Sequence, residues 1–208
     1  DAPARALVPI DASDDATWTD LTFDDTTWQS GTNGIGYDNG TDYLPIIGLD
    51  LFDTMRGENE TAYIRIPFRG VTPGEFVSLT LRMRYDDGFI AYLNGVQIAA
   101  VNEPLDPHWK SGAIRSNEAS TTEFDDFDVS SFISLLRPDN NILAIHGMNR
   151  GAGGADFVIQ PVLEGVSIAG QIATELTETT EINARVLEDD EWSALNQASF
   201  IVGTPAST

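Results

Sequence analysis

Phe89-Ile90-Ala91-Tyr92-Leu93-Asn94-Gly95-Val96-Gln97-Ile98-Ala99-Ala100-Val101 is the stretch on which the fold turns. Asn94-Gly95 accepts the positive backbone angles that a two-residue hairpin turn demands, and runs of apolar, β-forming residues flank it on both sides. A β-hairpin over 89–101 follows, with one strand on each side of the turn.

Working outward, Phe76 to Arg84 alternates at period two: Val77, Leu79, Leu81 and Met83 are expected to face a core, and Ser78, Thr80, Arg82 and Arg84 solvent. Ala62 to Arg69 alternates in the same way, and further strands are expected over 141–148, 157–163 and near 123–129. Helix is scarce. Ser130 to Arg137 suits one or two turns, with a serine able to cap the start and Pro138 to mark the stop. Many short strands separated by Gly, Asn, Asp and Pro describe an all-β antiparallel sandwich, a jelly roll. A boundary is expected near Gly165 to Gly170, giving a sandwich over 1–166 and an appendage over 167–203, with 204–208 as linker. Within the appendage, Thr179–Leu187 and Ala198–Val202 form a candidate hairpin. Two strands alone are marginal in water, so this tail needs something to pack on.

Composition narrows the function classes. The 208 residues, 41% of them hydrophobic, can build a real core, and no apolar run approaches the roughly 18–20 residues of a spanning helix. Asp+Glu number 33 against 11 Lys+Arg, a formal charge of −22, and Lys110 is the only lysine. Such a chain repels nucleic acid and anionic membrane surfaces alike. Its acidity either serves solubility or includes carboxylates that hold a hard cation such as calcium. The absence of cysteine excludes disulfides, thiolate metal sites and cysteine nucleophiles. With two histidines, no HExxH and no GxSxG, the common zinc and serine machineries are missing too.

Four ordered motifs carry a resemblance: Thr22-Phe23-Asp24-Asp25-Thr26-Thr27-Trp28, Tyr63-Ile64-Arg65-Ile66-Pro67-Phe68, Tyr85-Asp86-Asp87-Gly88 with its hairpin, and Leu136-Arg137-Pro138-Asp139-Asn140-Asn141-Ile142-Leu143-Ala144-Ile145. Over roughly residues 5–166 the chain resembles the galactose-binding-domain-like jelly-roll modules of secreted, multidomain bacterial proteins. Thr179–Leu187 and Glu191-Trp192-Ser193-Ala194-Leu195 resemble the closing half of a fibronectin-type-III-associated, chitobiase C-terminal-like repeat. These resemblances imply a secreted, extracellular setting with neighbouring domains of a longer polypeptide. The fold hosts sugar binders, calcium-stabilised scaffolds and adhesion modules, so function must be argued from the site.

Tyr85-Asp86-Asp87-Gly88 sits where a core strand hands over to the hairpin, so its side chains emerge at a sheet rim. A paired aspartate there can hold calcium or accept hydrogen bonds from sugar hydroxyls, and a similar Asp-Asp-Gly followed by a strand and an Asn/Asp-Gly turn occurs in PA14-type sugar-binding domains, where the pair coordinates calcium. Turn chemistry alone accounts equally well for these residue types. Asp38-Asn39-Gly40-Thr41-Asp42-Tyr43 offers several oxygens but lacks the EF-hand pattern. Sugar recognition also needs an aromatic face and polar side chains around it. Trp109, in a polar loop without strand periodicity, is the leading platform, and Tyr43 is the second. Asn102, Arg56 and Asn149 stand at loops or strand ends and can donate hydrogen bonds. Asp24 and Asp25 suit a structural turn, His146 a core-edge position, and the Gly-rich Arg150 to Asp156 a loop. The expectation is a non-catalytic carbohydrate-binding or accessory module with a glycan ligand, calcium at Asp86 and Asp87, and a ligand surface made of Trp109, Tyr43 and the Tyr85 to Asp87 rim. An adhesion or spacer module is the alternative, and a polysaccharide-degrading enzyme a more distant one.

Overall fold

A computed structural model describes residues 2–69 and 73–167 and, as backbone alone, four short segments beyond them. The strands are β1 (Pro3–Leu7), β2 (Gln29–Thr32), β3 (Ile35–Asp38), β4 (Leu49–Asp50), β5 (Thr61–Phe68), β6 (Phe76–Asp86), β7 (Gly88–Leu93), β8 (Val96–Val101), β9 (Asp125–Asp128), β10 (Asn141–Met148) and β11 (Asp156–Ser167). They form an all-β sandwich: a six-stranded sheet in the order β2-β1-β5-β10-β7-β8 faces a five-stranded sheet in the order β4-β3-β11-β6-β9. Every ladder is antiparallel except the short β3–β4 pair.

The β7–β8 hairpin forms as its turn chemistry predicts, with φ of 52° at Asn94 and 88° at Gly95. Leu79, Leu81 and Met83 of β6 are buried as their alternation requires, whereas Val77 is 53% exposed. The ladder explains the exception. Ser78 pairs with Val166 and Phe76 with Ser167, so Val77 is the unpaired residue of a bulge and Phe76 takes the inward place against the core. The 130–137 stretch forms a 3₁₀ turn over Ser130–Leu135. Asp128, rather than a serine, satisfies its start by accepting from the Ser130 amide at 2.9 Å.

The six-stranded sheet is covered on both faces, so β5, β7 and β10 are buried almost throughout. Ala62, Ile64, Phe89, Leu143 and Ile145 pack toward the opposing sheet. Gly147 lets the sheets close up, since a Cβ there would lie 2.7 Å from Phe157 and Ile159 side-chain atoms. On the outer face, Trp18 and Trp28 of the segment joining β1 to β2 pack with Tyr63, Ile142 and Ala144 as a second apolar layer. Arg65, only 1% exposed, pins that segment: its guanidinium donates to Asp25 at 2.8 Å and to the carbonyls of Trp18 and Asp20.

The chain divides into two compact units, Asp1–Ile168 and Ala169–Thr208. In the second, β12 (Thr180–Ala184) pairs with β15 (Asn196–Phe200), and β13 (Leu187–Glu188) with β14 (Glu191–Trp192). The expected linker over 204–208 lies outside the described residues.

Candidate functional site

Register brings acidic residues from three strands to one rim of the five-stranded sheet. β11 lies between β3 and β6, with Asp156 opposite Asp38 on one side and Val158 opposite Asp86 on the other. Asp86 ends β6, and Gly88 begins β7 where a Cβ would crowd the Val101 carbonyl. The Asp86–Asp87 peptide between them is cis. The 116–121 loop closes over this rim and supplies Glu118.

One ligand oxygen each from Asp86, Glu118 and Asp156 lie within 4.8 Å of one another. Asp86 is 3% exposed, and its Oδ2 accepts the Tyr43 hydroxyl at 3.1 Å. The same hydroxyl accepts the Ala119 amide at 3.0 Å, with Glu118 Oε2 at 3.5 Å. Asp87 does a different job. Its Oδ1 accepts the Asn117 amide at 2.7 Å and its Oδ2 the Arg150 amide at 2.8 Å, so it staples two loops to the strand end. Asn117 adds a bond from Nδ2 to the Tyr85 carbonyl, and Asn102 one from Nδ2 to the Asp87 carbonyl, each 2.8 Å. Asn149 is buried and donates to the Tyr37 hydroxyl and the Asp156 carbonyl.

Like charges in a desolvated place favour the protonated form. Burial, reinforced by the charges of Asp87 and Asp156, pushes the Asp86 carboxyl up to about 8, and burial with Glu118 and Asp38 nearby raises Asp156. A hard divalent cation relieves both effects. Calcium takes carboxylate and carbonyl oxygens at about 2.3–2.6 Å, so ligands on opposite sides of it stand roughly 4.6–5.2 Å apart, and the all-oxygen triad fits inside that sphere. The residues present therefore suit calcium better than a nitrogen- and sulfur-preferring metal.

The triad opens into a polar cleft of about 610 Å³ bordered by Asp87, Ser116, Asn149, Arg150 and the glycine-rich 151–155 segment. Arg150 donates from Nη1 to Ser116 Oγ at 3.3 Å and belongs to no ion pair among the described residues. A separate apolar hollow of about 380 Å³ lies at the opposite end of β6, lined by Ile66, Phe68, Phe76, Leu79 and Leu143.

The structure thus gathers Tyr43, Asp86, Asp87, Asn102 and Asn149 around one rim. Tyr85 points inward, its ring edge-on to Phe89 at 4.9 Å. Arg56 is exposed with its guanidinium over the Phe52 ring, away from the cleft lining. Trp109 is half-buried against the Trp18, Trp28 and Tyr63 layer on the outer face of the six-stranded sheet. Glu118 and Asp156 escape a reading of the sequence. Glu118 stands in no motif and Asp156 only ends the Gly-rich stretch expected to be a loop, so the β6–β11 register and the 116–121 loop alone bring them to Asp86.

No family model and no curated protein matches the chain. Solved structures do. A β-glycosidase from Bacteroides vulgatus matches with a TM-score of 0.45 at 11% identity, over 97% of this chain and 24% of that one. A Bacteroides uniformis β-glucuronidase gives 0.48 at 12% identity, over 96% of this chain and 25% of that one. The PA14 domain of an antifreeze protein gives 0.36 at 14% identity, covering 82% of this chain and 84% of the other. The chain spans about a quarter of the length of the glycosidases it matches.

Proposed function

We propose that this chain is a non-catalytic, extracellular carbohydrate-binding or accessory module that holds its glycan through calcium, as one part of a longer polypeptide. The observation that carries the reading is the convergence of Asp86, Glu118 and Asp156 within 4.8 Å of one another beside an open polar cleft. Asp86, Glu118 and Asp156 hold the ion, Asp87 fixes the two loops around it, and the Arg150 and Ser116 side chains stand ready to bond hydroxyls. Bound calcium supplies an electrophile that neighbouring hydroxyl oxygens of a sugar can share with the protein.

An extracellular setting accords with the calcium reading of the acidic triad.

The test is a glycan array probed in calcium and in chelator, with wild type and Asp86→Asn. Calcium-dependent binding by wild type alone supports the reading. Binding to no glycan favours a spacer or adhesion module, and turnover of a bound glycan would make the chain an enzyme.

A further inference from the structure

The calcium triad is flanked by a second polar groove, of about 450 Å³, lined by Asp42, Tyr43, Ser120 and Thr121. Glu118 and Asp156 border both hollows, so the two grooves meet at the triad. The 116–121 loop runs along them in order: Ser116 faces the first, Glu118 both, and Ala119 to Thr121 the second. Two bonds from Asn117, to Asp87 Oδ1 at 2.7 Å and to the Tyr85 carbonyl at 2.8 Å, hold this shared rim in place, and the Ala119 amide is tied to Tyr43 at 3.0 Å. The opposite wall of the first groove carries Arg150 and, beside it, Gly151 and Gly153, where a Cβ would meet nothing within 4 Å.

A site that takes a terminal sugar needs a wall behind the ligand. Here the anchoring point lies between two open polar grooves. From this geometry we infer that the ligand is an internal segment of a linear polysaccharide: one sugar unit sits at the triad, and its neighbours on either side lie in the Ser116–Arg150 groove and the Tyr43–Thr121 groove. This rests on the calcium-dependent glycan reading above and adds the class of ligand. The rim is already hydrogen-bonded, so each added sugar contributes contacts without a cost of ordering the protein.

Calorimetry in calcium with mannan, xylan, cellulose, β-galactan and pectin oligosaccharides of one, two, four and six units tests the inference. For the series that binds, Kd is expected to fall about tenfold or more between one unit and four. A reduced or blocked chain end should not weaken the binding. Thr121→Trp and Gly153→Trp, placed at exposed or open positions in the two grooves, should each bring four-unit binding down to that of shorter chains and leave the calcium-induced rise in Tm unchanged. Equal affinity for one unit and four, or indifference to both tryptophans, overturns the internal-segment inference while the calcium-dependent module stands. Binding of no saccharide in calcium overturns the module reading, and this one with it.

Discussion

The Tyr43 hydroxyl donates to Asp86 Oδ2 at 3.1 Å, across a sequence separation of 43 residues, and accepts the Ala119 amide at 3.0 Å. One buried phenol therefore joins the loop after β3, the end of β6 and the loop carrying Glu118. The spacing of the triad depends on it, because Glu118 is adjacent to the residue it holds.

Tyr43→Phe removes the hydroxyl and keeps the ring. It strands a part-buried amide and takes away the donor to Asp86, a loss of about 1–3 kcal/mol. Urea unfolding in chelator should show that loss, and calcium titration should show weaker binding as the 116–121 loop loses its tether. Unchanged calcium affinity would mean that Asn117 alone positions Glu118.

Asp86→Asn separates the two roles of the carboxyl. The amide keeps an acceptor for Tyr43 and never carries the charge that burial, Asp87 and Asp156 disfavour. In chelator at neutral pH the variant is expected to be as stable as wild type, to within about 1 kcal/mol. Wild type should gain roughly 2.7 kcal/mol when calcium is a hundred times its Kd, and the variant should gain almost nothing. Scanning calorimetry with and without the ion decides it, and an equal gain in both proteins would remove Asp86 from the ligand set.

Much of the sandwich was legible in one dimension because strands, hairpin turns and alternation are local properties. Asn94-Gly95 and the Leu79, Leu81, Met83 series announce themselves in this way. The first strands were harder: β2 reads Gln-Ser-Gly-Thr and β3 contains a glycine, so neither has a run of β-forming residues, and both exist through pairing with β1 and β11. The rim was half legible. Asp86 and Asp87 stand out as a pair, but the oxygens beside Asp86 come from Glu118 and Asp156, which only the fold brings there.

His146 gives the fold an acid sensitivity. It is buried, its Nε2 lies 3.1 Å from Thr61 Oγ1, and burial lowers its pKa to about 3. Unfolded, the ring titrates near its ordinary value of about 6.5. Between those values the unfolded chain holds the extra proton, so this contribution to stability is intact above about pH 6.5 and is lost as pH falls toward 3, with a slope of at most about 1.4 kcal/mol per unit. His146→Gln should flatten that part of the profile. The stability difference between variant and wild type, followed by urea unfolding from pH 7 to pH 4, should therefore shrink on acidification; a constant difference would show that His146 does not titrate on unfolding.

Arg65 and Asp25 test the fastening of the outer layer. With Arg65 1% exposed, removal of its acidic partner leaves a guanidinium bound only to carbonyls and to the face of Phe23. Breaking such a pair from one side costs about 3–5 kcal/mol when it is fully buried, and Asp25 retains 19% side-chain exposure, so Asp25→Ala is expected at about 2–4 kcal/mol. Near-UV circular dichroism should register loosened packing of Trp18 and Trp28. A loss below about 1 kcal/mol would assign the fastening to the carbonyl contacts instead.

Trp109 tests which of two surfaces takes the proposed glycan. In a polar loop it has the character of a sugar platform, and Lys110 Nζ lies 5.8 Å from its ring. The fold gives it other work. Asp15 accepts the Tyr63 hydroxyl at 2.7 Å and the Trp109 amide at 3.2 Å, while Asn59 Nδ2 donates to the Trp109 carbonyl at 3.0 Å. Its ring then closes the apolar layer over Tyr63. Trp109→Ala is expected to cost about 2 kcal/mol, less than the value for a fully buried ring, and to leave calcium-dependent glycan binding within about twofold of wild type. If binding instead drops tenfold while the variant remains folded, the glycan lies on the outer face of the six-stranded sheet, and the acidic rim holds calcium for stability alone.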